Sequence, residues 1–118
     1  MNAPAASTRT FASESGPLLE FDASSEGQPR ARWVAADCRL LRRGHAPFLG
    51  LTACERELGP LRAVSTTPVR ALVAESGELG ATWGSYTSGT ESGGYLRVWR
   101  RAEAGDWMLV AESMQAAE

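Results

Sequence analysis

Two carboxylates stand where acid–base chemistry is possible. Glu112 ends an apolar run that starts at Trp107, and strand alternation puts it on one face with Met108 and Val110. A carboxylate aimed into apolar surroundings has its pKa raised by desolvation and can serve as a general acid or base. Arg100 falls on the same face, and a pairing between the two would lower that pKa and make Glu112 structural. Asp37 is the second candidate. It begins an upstream strand, and proton transfer from it needs a partner across a pocket, whereas a cap or turn role needs none.

Other reactive side chains carry less. His45, the only histidine, lies in the turn sequence Gly44-His45-Ala46-Pro47 with no second ligand at metal-site spacing, so no metal is expected. Cys38 and Cys54 form neither a CxxC nor a ligand pattern, and reduced, semi-buried thiols are the expectation. No Ser/His/Asp arrangement occurs. Gly77, Gly80 and Gly84 fall within a hairpin and precede no helix, so they cradle no phosphate. No cofactor is implied.

The 118 residues fit one domain, expected to span 1–118, and 43% are hydrophobic, close to the globular average. Twelve arginines and no lysine stand against 14 acidic residues, for a net charge of −2. That balance gives no electrostatic footprint for nucleic acid. No apolar run approaches the roughly 20 residues that span a bilayer, and Met1–Thr10 lacks a signal-peptide core. The expected location is cytoplasmic, with no membrane partner.

The elements that must position these residues divide at about residue 68. In the first part, Ala5–Ser15 is a weak helix candidate that Gly16-Pro17 would end; residues 1–15 otherwise read as partly disordered. Pro17–Ala23 fits either a helical turn or a short strand. Pro29 suits the first turn of a helix through Ala36. Asp37–Arg43 alternates as a strand. Gly50–Leu58 reads as a short helix, with Thr52 as N-cap and Glu55 completing a capping box. In the second part, Val69–Glu75, Glu78–Thr87, Gly94–Ala102 and Asp106–Ser113 are strands, rich in β-branched and aromatic residues. Ser76-Gly77 makes a two-residue turn, Ser88–Gly93 a longer one, and Glu103-Ala104-Gly105 closes the last hairpin. Such short connections predict an antiparallel meander in sequence order.

The run Glu75–Tyr86 (ESGELGATWGSY) resembles the "SGDLGYTYGRY" segment of SnoaL-like, DUF4440-type domains in the NTF2-like superfamily. Gly94–Arg101, followed by Gly105-Asp106-Trp107, is similar to that family's "G-Y-x-x-V-W-R-R … G-x-W" ending. Ala36–Gly44 and Gly50 resemble its first strand and the glycine before its short helix. The resemblance covers roughly residues 33–113. It implies an α+β fold: a curved antiparallel sheet wrapped as a cone around N-terminal helices, commonly dimeric, with an apolar pocket. It also implies an acidic residue in the last strand, where Glu112 stands. Ala81 replaces a typically aromatic residue and would widen that pocket.

Pairing the strands sorts side chains onto two faces. Trp83, Leu96, Val98, Met108 and Val110 are expected to line the pocket with Cys38 and Leu40, with Glu112 at its floor. Tyr86, Tyr95, Trp99 and Trp107 fall on the other face, where a second subunit would cover them. The leading expectation is a homodimer that binds a small apolar or aromatic molecule in the cone. An enzyme of the SnoaL-like or ketosteroid-isomerase-like type, transferring protons through Glu112 or Asp37, is the second. An assembly module with a filled cone is the third.

Overall fold

Turn chemistry fixes the sheet. In the computed structural model, which describes residues 16–25, 30–58, 64–101 and 105–117, β3 (Ser65–Val73) and β4 (Leu79–Ser88) are joined through Gly77, whose φ is +80°. That connection is Ala74–Glu78, longer than the two-residue turn the sequence suggests, and Ala74 and Leu79 close it with a 2.7 Å backbone bond. β4 runs into β5 (Glu91–Arg101) through Gly89-Thr90 alone, with Gly89 at φ +62° and Ser88 paired to Glu91. The expected six-residue turn is therefore two residues, because Glu91–Gly93 pair into the ladder. β6 (Trp107–Ala116) completes the meander.

The upstream strand β1 (Val34–Arg42) lies parallel to β6, and β2 (Phe48–Leu49) pairs antiparallel with β1. The order is β2-β1-β6-β5-β4-β3, a curved, unclosed six-stranded sheet. Helix α1 (residues 16–25) crosses its inner face, α2 (Arg30–Trp33) leads directly into β1, and α3 (Leu51–Leu58) packs beside β1. Gly16-Pro17 are the first described residues of α1, so Pro17–Ala23 is helix and not strand. Two expectations are corrected. The helix expected through Ala36 gives way at Val34, where the backbone joins the β1–β6 ladder. Gly50, at φ +90°, takes the cap position assigned to Thr52 and accepts the Cys54 amide at 3.0 Å. The Ala5–Ser15 candidate and Gly59-Pro60 lie outside the described residues, as does most of the last hairpin turn.

The inner face carries Val73, Gly80, Thr82, Tyr86, Tyr95, Arg97, Trp99, Trp107 and Leu109, all buried. Leu18 of α1 sits over Gly80, where a Cβ would lie 2.6 Å from Leu18 Cδ2. Phe21 meets Trp99 edge-on at 5.5 Å. The outer face carries Leu72, Ala81, Trp83, Leu96, Val98, Arg100 and Met108. The two groupings match the sequence reading, but the faces are exchanged: the aromatic set, not the aliphatic one, faces the helix. One residue changes sides. The β5–β6 register runs Val98↔Ala111 then Trp99↔Leu109, so Val110 is the extra residue of a bulge, and Glu112 turns inward beside Leu109.

Adjacent glycines test this curvature. A Cβ at Gly93 would run into the Gln115 carbonyl oxygen and lie 2.8 Å from Ala116 Cα, whereas one at Gly94 would meet only the Gly84 oxygen at 3.6 Å. Gly93→Ala should cost about 1–3 kcal/mol by overpacking, and Gly94→Ala less than about 0.5 kcal/mol. Urea unfolding of the two variants, with equal losses, would contradict the coiled geometry at the β5–β6 end.

Candidate functional site

Helix α1 presents Leu18, Phe21, Asp22 and Ser25 to the sheet, the i, i+3, i+4, i+7 stripe of a core-facing helix. Two members are apolar and two are polar, so the stripe brings a carboxylate into the core. Asp22 has no exposed surface. Its Oδ1 accepts from Nη1 of Arg97 in a short ion pair, and its Oδ2 accepts from the Tyr95 hydroxyl at 2.7 Å. Ser25 Oγ lies 3.4 Å from the same Arg97 Nη1.

Arg97 stands at mid-strand in β5 and is also fully buried. Its register partner on β6 is Glu112, and Arg97 Nε donates to Glu112 Oε2 at 2.7 Å. The guanidinium carbon lies 4.9 Å from the centre of the Tyr95 ring and 5.5 Å from that of Trp33, so aromatic faces cover the cation. Glu112 Oε1 accepts from Arg42 Nη2 at 2.7 Å, and Arg42 Nε approaches Glu57 of α3 at 3.4 Å. Charges thus alternate from α1 through β5, β6 and β1 to α3: Asp22, Arg97, Glu112, Arg42, Glu57. The chain of pairs starts in the core and reaches solvent at Glu57.

This arrangement decides the chemistry of Glu112. Burial alone would raise its pKa, but the Arg97 and Arg42 guanidiniums outweigh burial and hold it below the ordinary glutamate value of 4.5. Both oxygens are occupied and 1% of the residue is exposed. It is an ionised structural carboxylate, poorly matched to proton transfer near neutral pH. Tyr95 is pushed upward by burial and by the Asp22 carboxylate.

The other sequence candidates fall elsewhere. Asp37 lies on the surface, bound bidentately by Arg100 at 2.9 and 3.1 Å, and that hydrogen bond holds its carboxyl below the usual range. Arg100 therefore serves Asp37, not Glu112. Trp83, Leu96, Val98 and Met108 lie on the outer face and Val110 forms the bulge, so they line no interior pocket; Cys38 and Leu40 are buried in the core. Tyr86, Tyr95, Trp99 and Trp107 are covered by their own chain, at 0–4% exposure, rather than by a partner. The Tyr86 hydroxyl donates to Glu91 at 2.5 Å and Trp99 Nε1 to Thr82 Oγ1 at 2.8 Å. Cys38 and Cys54 are free thiols; Cys54 donates to the Cys38 carbonyl at 3.3 Å, and burial pushes Cys38 up to about 12. Sequence reasoning passed over Asp22, although an acid at i+4 from Leu18 and next to Phe21 marks a polar group on a core stripe. It also passed over Arg97 as a core cation, although Tyr95 and Trp99 flank it on one strand face.

Removing one partner from a buried ion pair costs about 3–5 kcal/mol, so Glu112→Gln should lose that much near neutral pH. A carboxyl with a lowered folded pKa contributes stability above its unfolded value and loses it as pH falls through the folded one. The gap between wild type and E112Q in urea unfolding should therefore narrow as pH drops below 4.5. A gap that stays constant would mean that Glu112 is not ionised against the arginines.

No protein-family model matches the sequence, and no curated protein matches it. Solved structures do match. A ketosteroid isomerase-like protein from Erwinia carotovora atroseptica superposes with a TM-score of 0.54 at 17% identity, over 86% of this chain and 88% of that one. A protein of unknown function of the DUF3225 family from Pectobacterium atrosepticum gives 0.60 at 14% identity, over 87% of both chains. An NTF2-like protein with a cystatin-like fold from Novosphingobium aromaticivorans gives 0.53 at 15% identity, over 91% and 77%. Superpositions at this level of identity show the fold: the chain has the NTF2-like, cystatin-like α+β fold.

Proposed function

We propose that this domain works by association rather than catalysis, as a homodimer formed through the outer face of its sheet. The observation that carries this reading is the apolar outer face. Leu41, Leu72, Leu79 and Leu96 are 44–49% exposed, and Trp83, Val98 and Met108 are only half-buried around them. Cross-strand register gathers Ala81, Val98 and Ala111 in one row, with Trp83 and Leu96 in the next. Contiguous apolar surface of this kind favours a partner over water. A second copy suits it, because a patch whose centre has no charged side chain buries no like charges when it meets itself. Two such sheets stack face to face at about 10 Å. Catalysis is disfavoured because the only buried carboxylates described, Asp22 and Glu112, are spent on Arg97 and Arg42.

A second reading, binding of a small apolar or aromatic molecule, is supported by a cleft of about 250 Å³ between α1 and α2, lined by Phe21, Ser24, Arg32, Trp33 and Asp106.

Sedimentation should give a dimer at micromolar concentration. Leu96 is exposed, so Leu96→Asp should leave the fold intact and weaken association on the order of a hundredfold. A monomeric wild-type chain, or an L96D variant that associates unchanged, would refute the assignment.

A further inference from the structure

Asp22 occupies its position as a bound ligand would. One oxygen takes the Arg97 guanidinium and the other the Tyr95 hydroxyl, a two-point grip of the kind that recognises a planar carboxylate. The donors belong to the rigid sheet and the carboxylate to α1, a separate element held by one stripe. Arg97 keeps Glu112 whether or not Asp22 is present, and Glu112 keeps Arg42. Withdrawal of Asp22 leaves two donors, Arg97 Nη1 and the Tyr95 hydroxyl, aimed at the vacated place. Trp33 connects this place with the cleft between α1 and α2. Trp33 lines the cleft and also faces the Arg97 guanidinium at 5.5 Å, and Phe21, another wall of the cleft, is the neighbour of Asp22 in the chain.

We propose that the cone holds a carboxylate-binding site filled by the chain's own Asp22, and that a small aromatic carboxylate takes its place. The ligand's carboxylate sits on Arg97 Nη1 and the Tyr95 hydroxyl. Its ring lies toward Phe21 and Trp33, two walls of the cleft. The internal carboxylate competes with the ligand, so affinity is reduced by the small fraction of molecules in which α1 has lifted. This inference rests on the small-molecule reading and deepens it; it does not depend on dimer formation.

The test is a titration of the full chain with benzoate, followed by tryptophan fluorescence and by the Arg97 Nε–H resonance. Asp22→Ala removes the competitor and should bind benzoate at least tenfold more tightly than wild type, with a saturable rise in melting temperature. Formate, sized to the deleted group, should raise the melting temperature of D22A, and chloride at equal ionic strength should not. Asp22→Asn fills the space without the charge and should show no such rescue. If D22A does not fold alone, refolding in formate but not in chloride supports the site, and refolding in neither overturns it. Benzoate binding that is no tighter in folded D22A, or that survives Arg97→Met, overturns the proposal. Binding of neutral benzamide as tight as benzoate overturns the carboxylate site and keeps the small-molecule reading; binding of neither sinks both.

Discussion

A guanidinium in the core sets terms for the rest of this molecule. Moving Arg97 out of water costs several kcal/mol, and only well-placed opposite charges and hydrogen bonds offset that. Among the described residues, compensation comes from separate places: Asp22 on α1, Glu112 on β6, Tyr95 on its own strand and Trp33 at the end of α2. None is local to another in sequence. Each must arrive in register, so a single cation ties α1 to the sheet, fixes the β5–β6 pairing, and requires the Val110 bulge that turns Glu112 inward. Glu112 in turn needs Arg42, which sets where β1 lies along β6. The cluster specifies an arrangement more than it adds stability, because a well-packed apolar set of equal volume would hold as firmly.

The same commitment explains the two surfaces. A strand has two faces, and residues spent on one are unavailable to the other. With Tyr95, Arg97 and Trp99 directed inward, Leu96 and Val98 have nowhere to go but outward. An interior built on polar-tipped aromatics and ion pairs thus leaves the sheet with an apolar back. It also explains why Glu112 is poorly matched to proton transfer. A carboxylate poised for proton transfer needs burial without a close cation, and here the cations are the reason the acids can be buried at all.

Much of the fold was legible because it rests on turn chemistry and period-2 patterning. The meander, the upstream strand and the short α3 all follow from Gly77, Gly89, Gly50 and the strands between them. The separation of residues into two faces was legible for the same reason. Which face was inner was not. Aliphatic residues usually mark the core, and Leu96, Val98 and Met108 outweigh Tyr95 and Arg97 on any hydropathy scale. The deciding fact is a long-range one: Asp22, 75 positions from Arg97, supplies the charge that lets the polar set be buried. Nor does a bulge announce itself. Val110-Ala111 reads as ordinary alternation, and the extra residue that moves Glu112 across the sheet is visible only against β5. The carboxylate–arginine pairing of Glu112 was foreseen in kind, with Arg100 as partner, but inward rotation gave it Arg97 and Arg42 instead.

Two kinds of force hold α1 on the sheet, and they do different work. Leu18 and Phe21 bury apolar surface, the fully buried Leu18 contributing roughly 1.5–3 kcal/mol and the partly buried Phe21 less, and such contacts are non-directional: a helix can slide or roll by an ångström and keep most of them. Asp22 and Ser25 make contacts that a shift of that size breaks, because charge-assisted hydrogen bonds fall off steeply with distance and angle. The apolar pair therefore sets how strongly the helix adheres, and the polar pair sets where. Loss of Leu18 would loosen the helix without redirecting it, while loss of Asp22 would free its register and remove one of the anions that Arg97 holds. The placement of α1 accordingly belongs to the polar pair, and through Arg97 it is coupled to Glu112 and to the β5–β6 register.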